Sequence, residues 1–324
     1  MSTASTPKIR VGVAGVGSLG QWHARIYSEL AAEMPDVEFA GVFDPDAKRA
    51  AEIAERYHTR PFASLDDLAA AADALSIVVP TDKHRAIAGR AIELGKHVLV
   101  EKPIAASTQE AEELVHLANE RRVILQVGHV ERFNPVLSVV NPSKNHPLYV
   151  EAIRIAPYPP PRFGLLPRGT EVSVILDLMI HDLEVILHLV RSKVVEIHAV
   201  GVPVLSKSED IANVRLRFAN GCVANVTASR ISMEKQRKIR MFLPDAYVSL
   251  DYQEQTGKVL RKKLLGIEKK DIPIHKGEPL ALELRSFVDC VRNHSAPVVD
   301  GQHAAEALKL AVDIIRSIRE KGQT

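Results

Sequence analysis

Apolar residues in the first part of the chain occur in short continuous runs, separated by stretches of helical periodicity. The runs are rich in β-branched residues and lie at 9–15, 37–44, 74–80, 97–103 and 123–129. The helical stretches between them include 46–57, 83–95 and 107–121. Strands covered by helices on both faces are continuously apolar, and their alternation with amphipathic helices indicates βαβ units. The pattern predicts an α/β domain with a doubly wound parallel sheet at residues 1–128.

The pattern changes after Asn134. A proline-rich segment at 157–168 precedes a long apolar helical stretch at 171–191. Strand-like runs follow at 194–205, 212–219, 222–230, 238–244 and 246–252. Turn signals such as Asn220-Gly221 separate several of them, which favours hairpins and an antiparallel or mixed sheet. With two amphipathic helices at about 278–294 and 302–320, residues 129–324 are predicted to form a second, α+β domain.

Length, composition and charge narrow the class of protein. A chain of 324 residues with 46% hydrophobic content can form two globular domains. The 42 Lys+Arg against 40 Asp+Glu give a formal charge of only +2, so we expect no nucleic-acid partner. The N-terminal sequence has no apolar export segment, which predicts a cytoplasmic protein without membrane insertion. Its two cysteines, Cys222 and Cys290, are expected to be reduced.

A glycine-rich motif follows the first predicted strand. Residues 15–20, GVGSLG, have the G-x-G-x-x-G spacing and open a helix. Glycine lets a pyrophosphate approach the backbone at the helix N-terminus. Asp44 ends the second strand about twenty residues on, where an acid binds ribose hydroxyls and repels a 2′-phosphate. NAD is therefore expected as the cofactor, with contacts from Gly15, Gly17, Ser18, Leu19, Gly20 and Asp44.

Polar residues also end the third and fourth predicted strands. In open α/β sheets the ligand lies beyond the carboxyl ends of the strands. Five residues are therefore expected beside the nicotinamide: Pro80, Thr81, His84, Glu101 and Lys102. Two alternatives remain open here. Lys102 can form a surface ion pair with Glu101, and His84 can serve only to cap its helix.

Asp177 and His181 are four residues apart in the apolar helical stretch, so both should project from one helix face. An isolated carboxylate is costly in apolar surroundings. The pair should therefore be hydrogen-bonded to each other or to a group that enters a cleft. An intrahelical pair that satisfies only itself is the alternative. A metal site of His181, Asp182 and His188 is disfavoured, because neighbouring positions 181 and 182 point apart.

Taken together, GVGSLG, PTDKH (80–84), EKP (101–103) and D-x-x-x-H (177–181) resemble the glucose-fructose oxidoreductase and inositol dehydrogenase family over nearly the whole chain. The resemblance implies a Rossmann domain followed by a domain with an open-faced, mostly antiparallel sheet. That sheet often forms the subunit interface, which implies a homodimer or homotetramer. The resemblance also implies a catalytic set of Lys102, Asp177 and His181, with a cis peptide bond before Pro103.

Further stretches resemble one branch of that family, the UDP-N-acetylglucosamine 3-dehydrogenases of lipid A biosynthesis. They lie at 128–135, 175–184, 210–230 and 244–253. The branch implies NAD-dependent oxidation of the sugar 3-hydroxyl, so that an aminotransferase can follow. GTEVSVIL replaces the glycine-rich run usual before the catalytic Asp in inositol dehydrogenases, which counts against a bare polyol. A dehydrogenase of another sugar (a UDP-uronate or inositol) and a non-catalytic NAD sensor are the alternatives.

The mechanism expected from this resemblance is a proton transfer coupled to a hydride transfer. His181 accepts the hydroxyl proton, Asp177 orients the imidazole, and Lys102 stabilises charge on the oxygen. Whether Lys102 or His181 is the base stays open. Arg162 and Arg168 are expected to bind the diphosphate of the nucleotide sugar, unless they are ordinary surface arginines. Three residues after the fifth strand are expected as substrate contacts, or as structural residues of the domain junction: His129, Arg132 and Asn134.

Overall fold

The computed structural model describes residues 8–142, 146–160, 167, 169–263 and 266–321. These residues form two units. The first runs to Val130 and also takes in Glu278–Ala305, and the second takes in Glu131–Gly277 and the chain from Glu306. The boundary at 130 lies close to the one expected from the sequence.

The first unit is built on a parallel five-stranded sheet. Its strands are β1 (Ile9–Ala14), β2 (Val37–Phe43), β3 (Ala74–Ile77), β4 (His97–Glu101) and β5 (Leu125–Gly128). They lie in the order β2-β1-β3-β4-β5, and every pair is parallel. The strand order reverses between β1 and β3, which makes the carboxyl end of β1 the switch point where such sheets bind ligands.

Helices connect these strands, and polar residues start several of them. They are α1 (Gly20–Glu33), α2 (Ala47–Arg56), α3 (Leu65–Ala71), α4 (Thr81–Glu93) and α5 (Thr108–Arg121). The side chains of Asp46, Ser64 and Ser107 accept hydrogen bonds from backbone N–H groups at the starts of α2, α3 and α5. The doubly wound α/β architecture expected from the sequence is confirmed.

The second unit is built on an eight-stranded, mostly antiparallel sheet. Its strands are β6 (Tyr149–Ile155), β7 (Val194–Val202), β8 (Ile211–Phe218), β9 (Val223–Ser229), β10 (Gln236–Phe242), β11 (Ala246–Asp251), β12 (Thr256–Lys263) and β13 (Gly266–Ile272). The order is β13-β12-β11-β10-β6-β9-β8-β7, with β6 and β9 parallel. Along β8, buried and exposed side chains alternate. One face of the sheet therefore packs on the core, and the other is exposed in this chain.

The apolar stretch that carries Asp177 and His181 is not one regular helix. Ile175–Met179 forms a π-helical turn, and α6 (Ile180–Val190) follows it. The Ile180 N–H donates to the carbonyl of Ile175, five residues back. The predicted uninterrupted helix at 171–191 is thus corrected. Apolar periodicity does not distinguish a single π turn from the α-helix that continues it.

The helices α7 (Pro279–Asn293) and α8 (Gly301–Lys321) end the described chain. The sequence placed both in the second domain, but Glu278–Ala305 belongs to the first unit. The reason is packing, since Leu284, Phe287 and Val288 of α7 join the core of the first unit. Arg285 also pairs with Glu33 of α1. No helix among the described residues combines the length and apolar content that a bilayer crossing requires.

Candidate active site

The glycine-rich loop lies at the switch point, directly after β1. Gly15 has φ +89°, and a Cβ added there would lie 2.4 Å from the carbonyl oxygen of Val78. A Cβ on Gly20 would lie 1.8 Å from the carbonyl oxygen of Gly15. Gly17 differs, because a Cβ there would meet no atom of the described residues within 4 Å. The loop itself therefore requires Gly15 and Gly20, whereas Gly17 borders open space through which a pyrophosphate can reach the backbone.

Asp44, just after β2, holds this loop. Its Oδ2 accepts a hydrogen bond from the Val16 N–H (2.8 Å), and its Oδ1 accepts one from the Asp46 N–H (3.0 Å). Arg49 Nε donates to the Val16 carbonyl at 2.9 Å. A carboxylate offers about four acceptor sites, so Asp44 keeps capacity for ribose hydroxyls. The residues at the switch point thus fit a dinucleotide.

Glu101 and Lys102 lie at the end of β4, where the Lys102–Pro103 peptide bond is cis. Glu101 is buried, which excludes the alternative that it forms a surface ion pair with Lys102. His23 Nε2 lies 3.2 Å from Glu101 Oε1, and Glu101 Oε2 accepts from the Lys102 N–H at 3.2 Å. A Cβ on Gly128 would lie 2.9 Å from the Glu101 carboxyl group. The backbone N–H of Lys102 is thus held by the buried carboxylate of Glu101.

His84 supports the same loop from the neighbouring helix α4. The side chain is only 1% exposed. Its Nδ1 lies 2.8 Å from the Pro103 carbonyl oxygen, and its Nε2 lies 3.0 Å from that of Val79. Burial lowers the pKa of His84, and the two carbonyl contacts oppose that shift. Both ring nitrogens of His84 therefore face carbonyls of the protein, and its expected contact with the nicotinamide stays a prediction. Pro80 occupies the N-cap position of α4, and Thr81 is the first residue of the helix.

In the second unit, Asp177 lies in the π turn and His181 is the second residue of α6. Both side chains are half-buried. The Asp177 carboxylate packs against Gly169, where an added Cβ would lie 2.4 Å from Asp177 Oδ2. The π turn makes the spacing of these two side chains different from that of an ideal α-helix, and such turns occur frequently at functional sites.

A buried ionic cluster supports α6 next to His181. Arg154 Nε and Nη2 donate to the two oxygens of Asp182 at 2.7 and 3.1 Å, and Nη1 donates to Glu131 Oε1 at 2.8 Å. Burial raises the pKa of Asp182, and the Arg154 charge opposes that shift. Arg154 and Glu131 were not predicted from the sequence. Arg154 could have been found, because it continues the alternation of the buried residues Val150 and Ala152 along β6, and a charged residue at such a position needs a buried partner.

Arg132 and Asn134, expected as substrate contacts or as structural residues of the domain junction, both have buried partners in the second unit. Arg132 Nη1 donates to the buried Glu184 Oε1 at 2.7 Å, and its side chain is only 7% exposed. Asn134 is buried and donates to Glu131 Oε2 (3.2 Å) and to the Tyr252 carbonyl (3.0 Å). Arg132 thus pairs with Glu184 and Asn134 with Glu131, as a structural role requires, and their contact with substrate stays a prediction. His129 is also buried, while Arg162 and Arg168 lie outside the described residues.

Comparison with known proteins places the chain in a family. The model of an oxidoreductase family with an NAD-binding Rossmann fold matches residues 9–129, and the GFO/IDH/MocA C-terminal domain matches residues 147–246. The chain belongs to the GFO/IDH/MocA oxidoreductase family. The first unit is accordingly its NAD-binding domain, and the expected cofactor, NAD, is confirmed.

Relatives within the GFO/IDH/MocA family act on sugars and polyols. The UDP-N-acetylglucosamine 3-dehydrogenase of Acidithiobacillus ferrooxidans is 36% identical over 94% of this chain and 96% of its own. A solved structure of that enzyme superposes with a TM-score of 0.89 and 36% identity, covering 97% of this chain and 98% of the other. The scyllo-inositol 2-dehydrogenase (NAD(+)) of Bacillus subtilis is 27% identical over 96% of this chain and 94% of its own. This member of the family is therefore an NAD-dependent sugar dehydrogenase that oxidises a CH–OH group.

Proposed function

We propose that this dehydrogenase oxidises the 3-hydroxyl of UDP-N-acetylglucosamine to the 3-keto sugar. The observation that carries the proposal is the match to a UDP-N-acetylglucosamine 3-dehydrogenase, which extends over 94% of this chain at 36% identity. The inositol dehydrogenases that match over a similar length are 24–27% identical. The replacement of the glycine-rich run before Asp177 by GTEVSVIL also supports a substrate other than a bare polyol.

The reacting groups in this proposal are Lys102 from the first unit and Asp177 and His181 from the second. His181 accepts the proton of the 3-hydroxyl, and Asp177 orients its imidazole. The Lys102 ammonium donates a hydrogen bond to the same oxygen and stabilises the negative charge that develops on it. The glycine-rich loop and Asp44 would hold NAD, which when bound would supply the acceptor for the hydride from C3 of the sugar. The C–H electron pair and the O–H proton therefore leave the alcohol separately, and a carbonyl remains.

The cofactor contacts proposed here centre on the glycine-rich loop. The open space beside Gly17 and the loop contacts of Asp44 support a pyrophosphate and a ribose at these positions. Ser18 and Leu19 belong to the same loop, and Pro80, Thr81 and Glu101 belong to the neighbouring strand ends. An acid at position 44 also supports a preference for NAD over NADP.

The proposal extends to what surrounds the reaction. A keto sugar is the substrate that an aminotransferase needs, so an amine-transferring enzyme is expected to consume the product. A homodimer or homotetramer remains a prediction, supported by three exposed apolar side chains of β7 that a second copy would cover, namely Val195, Val200 and Val202. The cytoplasmic location remains a prediction.

A substrate panel tests the proposal. Purified protein is mixed with NAD and one of UDP-N-acetylglucosamine, UDP-glucose, a UDP-uronate or myo-inositol, and formation of reduced nicotinamide is followed by absorbance. A carbonyl-trapping hydroxylamine is added, because the equilibrium of alcohol oxidation can favour the alcohol. The proposal predicts turnover with UDP-N-acetylglucosamine in preference to the other three. Preferred turnover of inositol or of a UDP-uronate would refute UDP-N-acetylglucosamine as the substrate. NAD binding without turnover of any sugar would indicate a sensor.

A further inference from the structure

Arg230, at the end of β9, is one of the largest fully buried side chains among the described residues, at 2% exposure. Its Nε donates to Asp210 Oδ1 at 2.8 Å. Its Nη1 donates to the carbonyls of Gly169 (2.5 Å) and Val172 (2.9 Å). Its Nη2 contacts Ser206 Oγ (3.0 Å), Ser208 Oγ (3.1 Å) and the Glu209 carbonyl (3.2 Å). A buried guanidinium is costly unless it is paired and hydrogen-bonded, and all three nitrogens here meet that condition.

Asp210 completes this arrangement from the loop after β7. It is fully buried, and its Oδ2 accepts hydrogen bonds from the N–H groups of Val204 (2.8 Å), Leu205 (2.6 Å) and Ser206 (2.9 Å). Burial alone would raise the pKa of Asp210, but hydrogen bonds from Arg230, Ser206 and the backbone outweigh it and hold the pKa well below its usual value. The carboxylate is therefore ionised at neutral pH, and it closes the loop 203–210 around Arg230.

The Asp210–Arg230 pair holds one further segment, residues 169–174, which leads into the π turn. Besides the two bonds from Arg230, Ser208 Oγ donates to the Val172 carbonyl at 3.0 Å. The Val174 N–H donates to the Glu209 carbonyl at 2.9 Å. This segment is thus bonded to Arg230 at its start and to the loop 203–210 towards its end.

Gly169 connects the pair to Asp177. Arg230 binds the carbonyl of Gly169, and the α-carbon of the same glycine lies against the Asp177 carboxylate. The contact is tight, since a single added methyl group would lie 2.4 Å from Asp177 Oδ2. A shift of Gly169 would therefore remove the surface that limits the orientation of this carboxylate.

We propose that Arg230 and Asp210 are positioning residues for Asp177. They fix residues 169–174 so that Gly169 sets the orientation in which the Asp177 carboxylate supports His181. Neither residue touches the reacting atoms. The proposal rests on the proposed function for the roles of Asp177 and His181.

A purely structural role makes a different prediction from a positioning role. A structural pair would lower the stability of the second unit as any core residue does, and the folded fraction would keep its turnover rate. A positioning pair changes turnover in the folded protein, because a displacement of about 1 Å at a reacting group can cost about 100-fold in rate. It should also loosen residues 169–179 more than the rest of the unit.

The test uses Arg230→Lys, Asp210→Asn and the milder Ser208→Ala in the full chain, with Val214→Ala as the control. Val214 is fully buried on β8 of the same sheet and belongs neither to the Asp210–Arg230 pair nor to the segments 169–174 and 203–210. Amide hydrogen exchange is measured without substrate, and kcat and KM are measured with the sugar that the wild-type enzyme oxidises. For Arg230→Lys and Asp210→Asn we expect exchange at 169–179 to rise at least about tenfold relative to the rest of the unit, and kcat to fall about 10- to 100-fold with KM for NAD unchanged. Val214→Ala should show neither effect.

The outcomes separate the two proposals. Exchange and kcat that match those of Val214→Ala would overturn the positioning role, as would loosened exchange with an unchanged kcat. If Arg230→Lys does not fold, Ser208→Ala decides the matter, and we expect a kcat loss of about 3- to 10-fold for it, scaled down from the same displacement argument. A wild-type enzyme that does not oxidise UDP-N-acetylglucosamine but oxidises another sugar of the panel would refute only the proposed substrate.

Discussion

The contrast between Gly17 and Gly20 provides a sharp test of the cofactor site. Both belong to the same motif, but a Cβ at Gly17 would have no described atom within 4 Å, whereas a Cβ at Gly20 would lie 1.8 Å from a backbone carbonyl oxygen. Gly17 also has no positive φ that would strain an alanine. Alanine at these two positions should therefore separate ligand binding from folding.

For Gly17→Ala we expect a free energy of unfolding within about 0.5 kcal/mol of wild type, as for a substitution that contacts nothing. The methyl group would occupy the space through which the pyrophosphate approaches the backbone. Loss of one hydrogen bond to a charged group costs about 1.5–3 kcal/mol, and each 1.4 kcal/mol is about tenfold in affinity. NAD should therefore bind about 10- to 100-fold more weakly.

For Gly20→Ala both properties should suffer. A clash with a backbone carbonyl cannot be relieved by a side-chain rotation, and overpacking of this kind costs about 1–3 kcal/mol of stability. The two quantities are measured by urea unfolding without NAD and by titration with NAD. Trp22, the single tryptophan, lies on α1 two residues after Gly20 and offers a fluorescence signal. Wild-type affinity in Gly17→Ala would refute the location of the pyrophosphate, and a stability loss equal to that of Gly20→Ala would refute the open space.

Three further predictions concern charges. Asp44→Asn should weaken NAD binding by about tenfold, as one hydrogen bond to a charged group is lost, and should reduce the preference for NAD over NADP, which the ratio of kcat/KM values for the two cofactors measures. Asp182→Asn removes one of the two carboxylates that pair with the buried Arg154 and leaves only Glu131, so it should cost up to about 3–5 kcal/mol in urea unfolding. Replacing all three charged residues by apolar ones should cost less. The pKa of Asp210 in the folded protein lies below its ordinary value of 3.8, so the stabilisation by its carboxylate is present above pH 3.8 and is lost as pH falls through the lower folded value. Asp210→Asn should therefore flatten the acid side of the curve of unfolding free energy against pH. An unchanged curve would contradict an ionised Asp210–Arg230 pair.

The first unit was predictable from the sequence for two reasons. Its strands are buried on both faces and therefore appear as continuous apolar runs, and its loop after β1 has room only for glycine at positions 15 and 20. The sequence misplaced α7, because an amphipathic helix shows that it has an apolar face but not which core that face joins. It overlooked β12 and β13, in which eight of the fifteen residues are charged and which carry no apolar alternation.

The candidate site was predictable where function needs a particular residue at a particular point of the chain. Gly15, Gly17, Asp44 and the cis peptide bond before Pro103 are where the sequence and the resemblance placed them. The sequence left two roles open for Arg132 and Asn134, since a polar residue after a strand can face a ligand or satisfy a buried charge. Only the positions of Glu131 and Glu184 in the fold distinguish the two cases.

The central claim is a hydride transfer from C3 of a nucleotide sugar to NAD, and isotopic transfer tests it most directly. UDP-N-acetylglucosamine deuterated at C3 is incubated with the enzyme and NAD, and the reduced nicotinamide is analysed by mass spectrometry and NMR. We expect deuterium at C4 of the nicotinamide in wild type, and a much slower transfer in His181→Asn and in Lys102→Met. Reduced nicotinamide without deuterium would show that the hydride leaves another position of the sugar and would refute oxidation at C3.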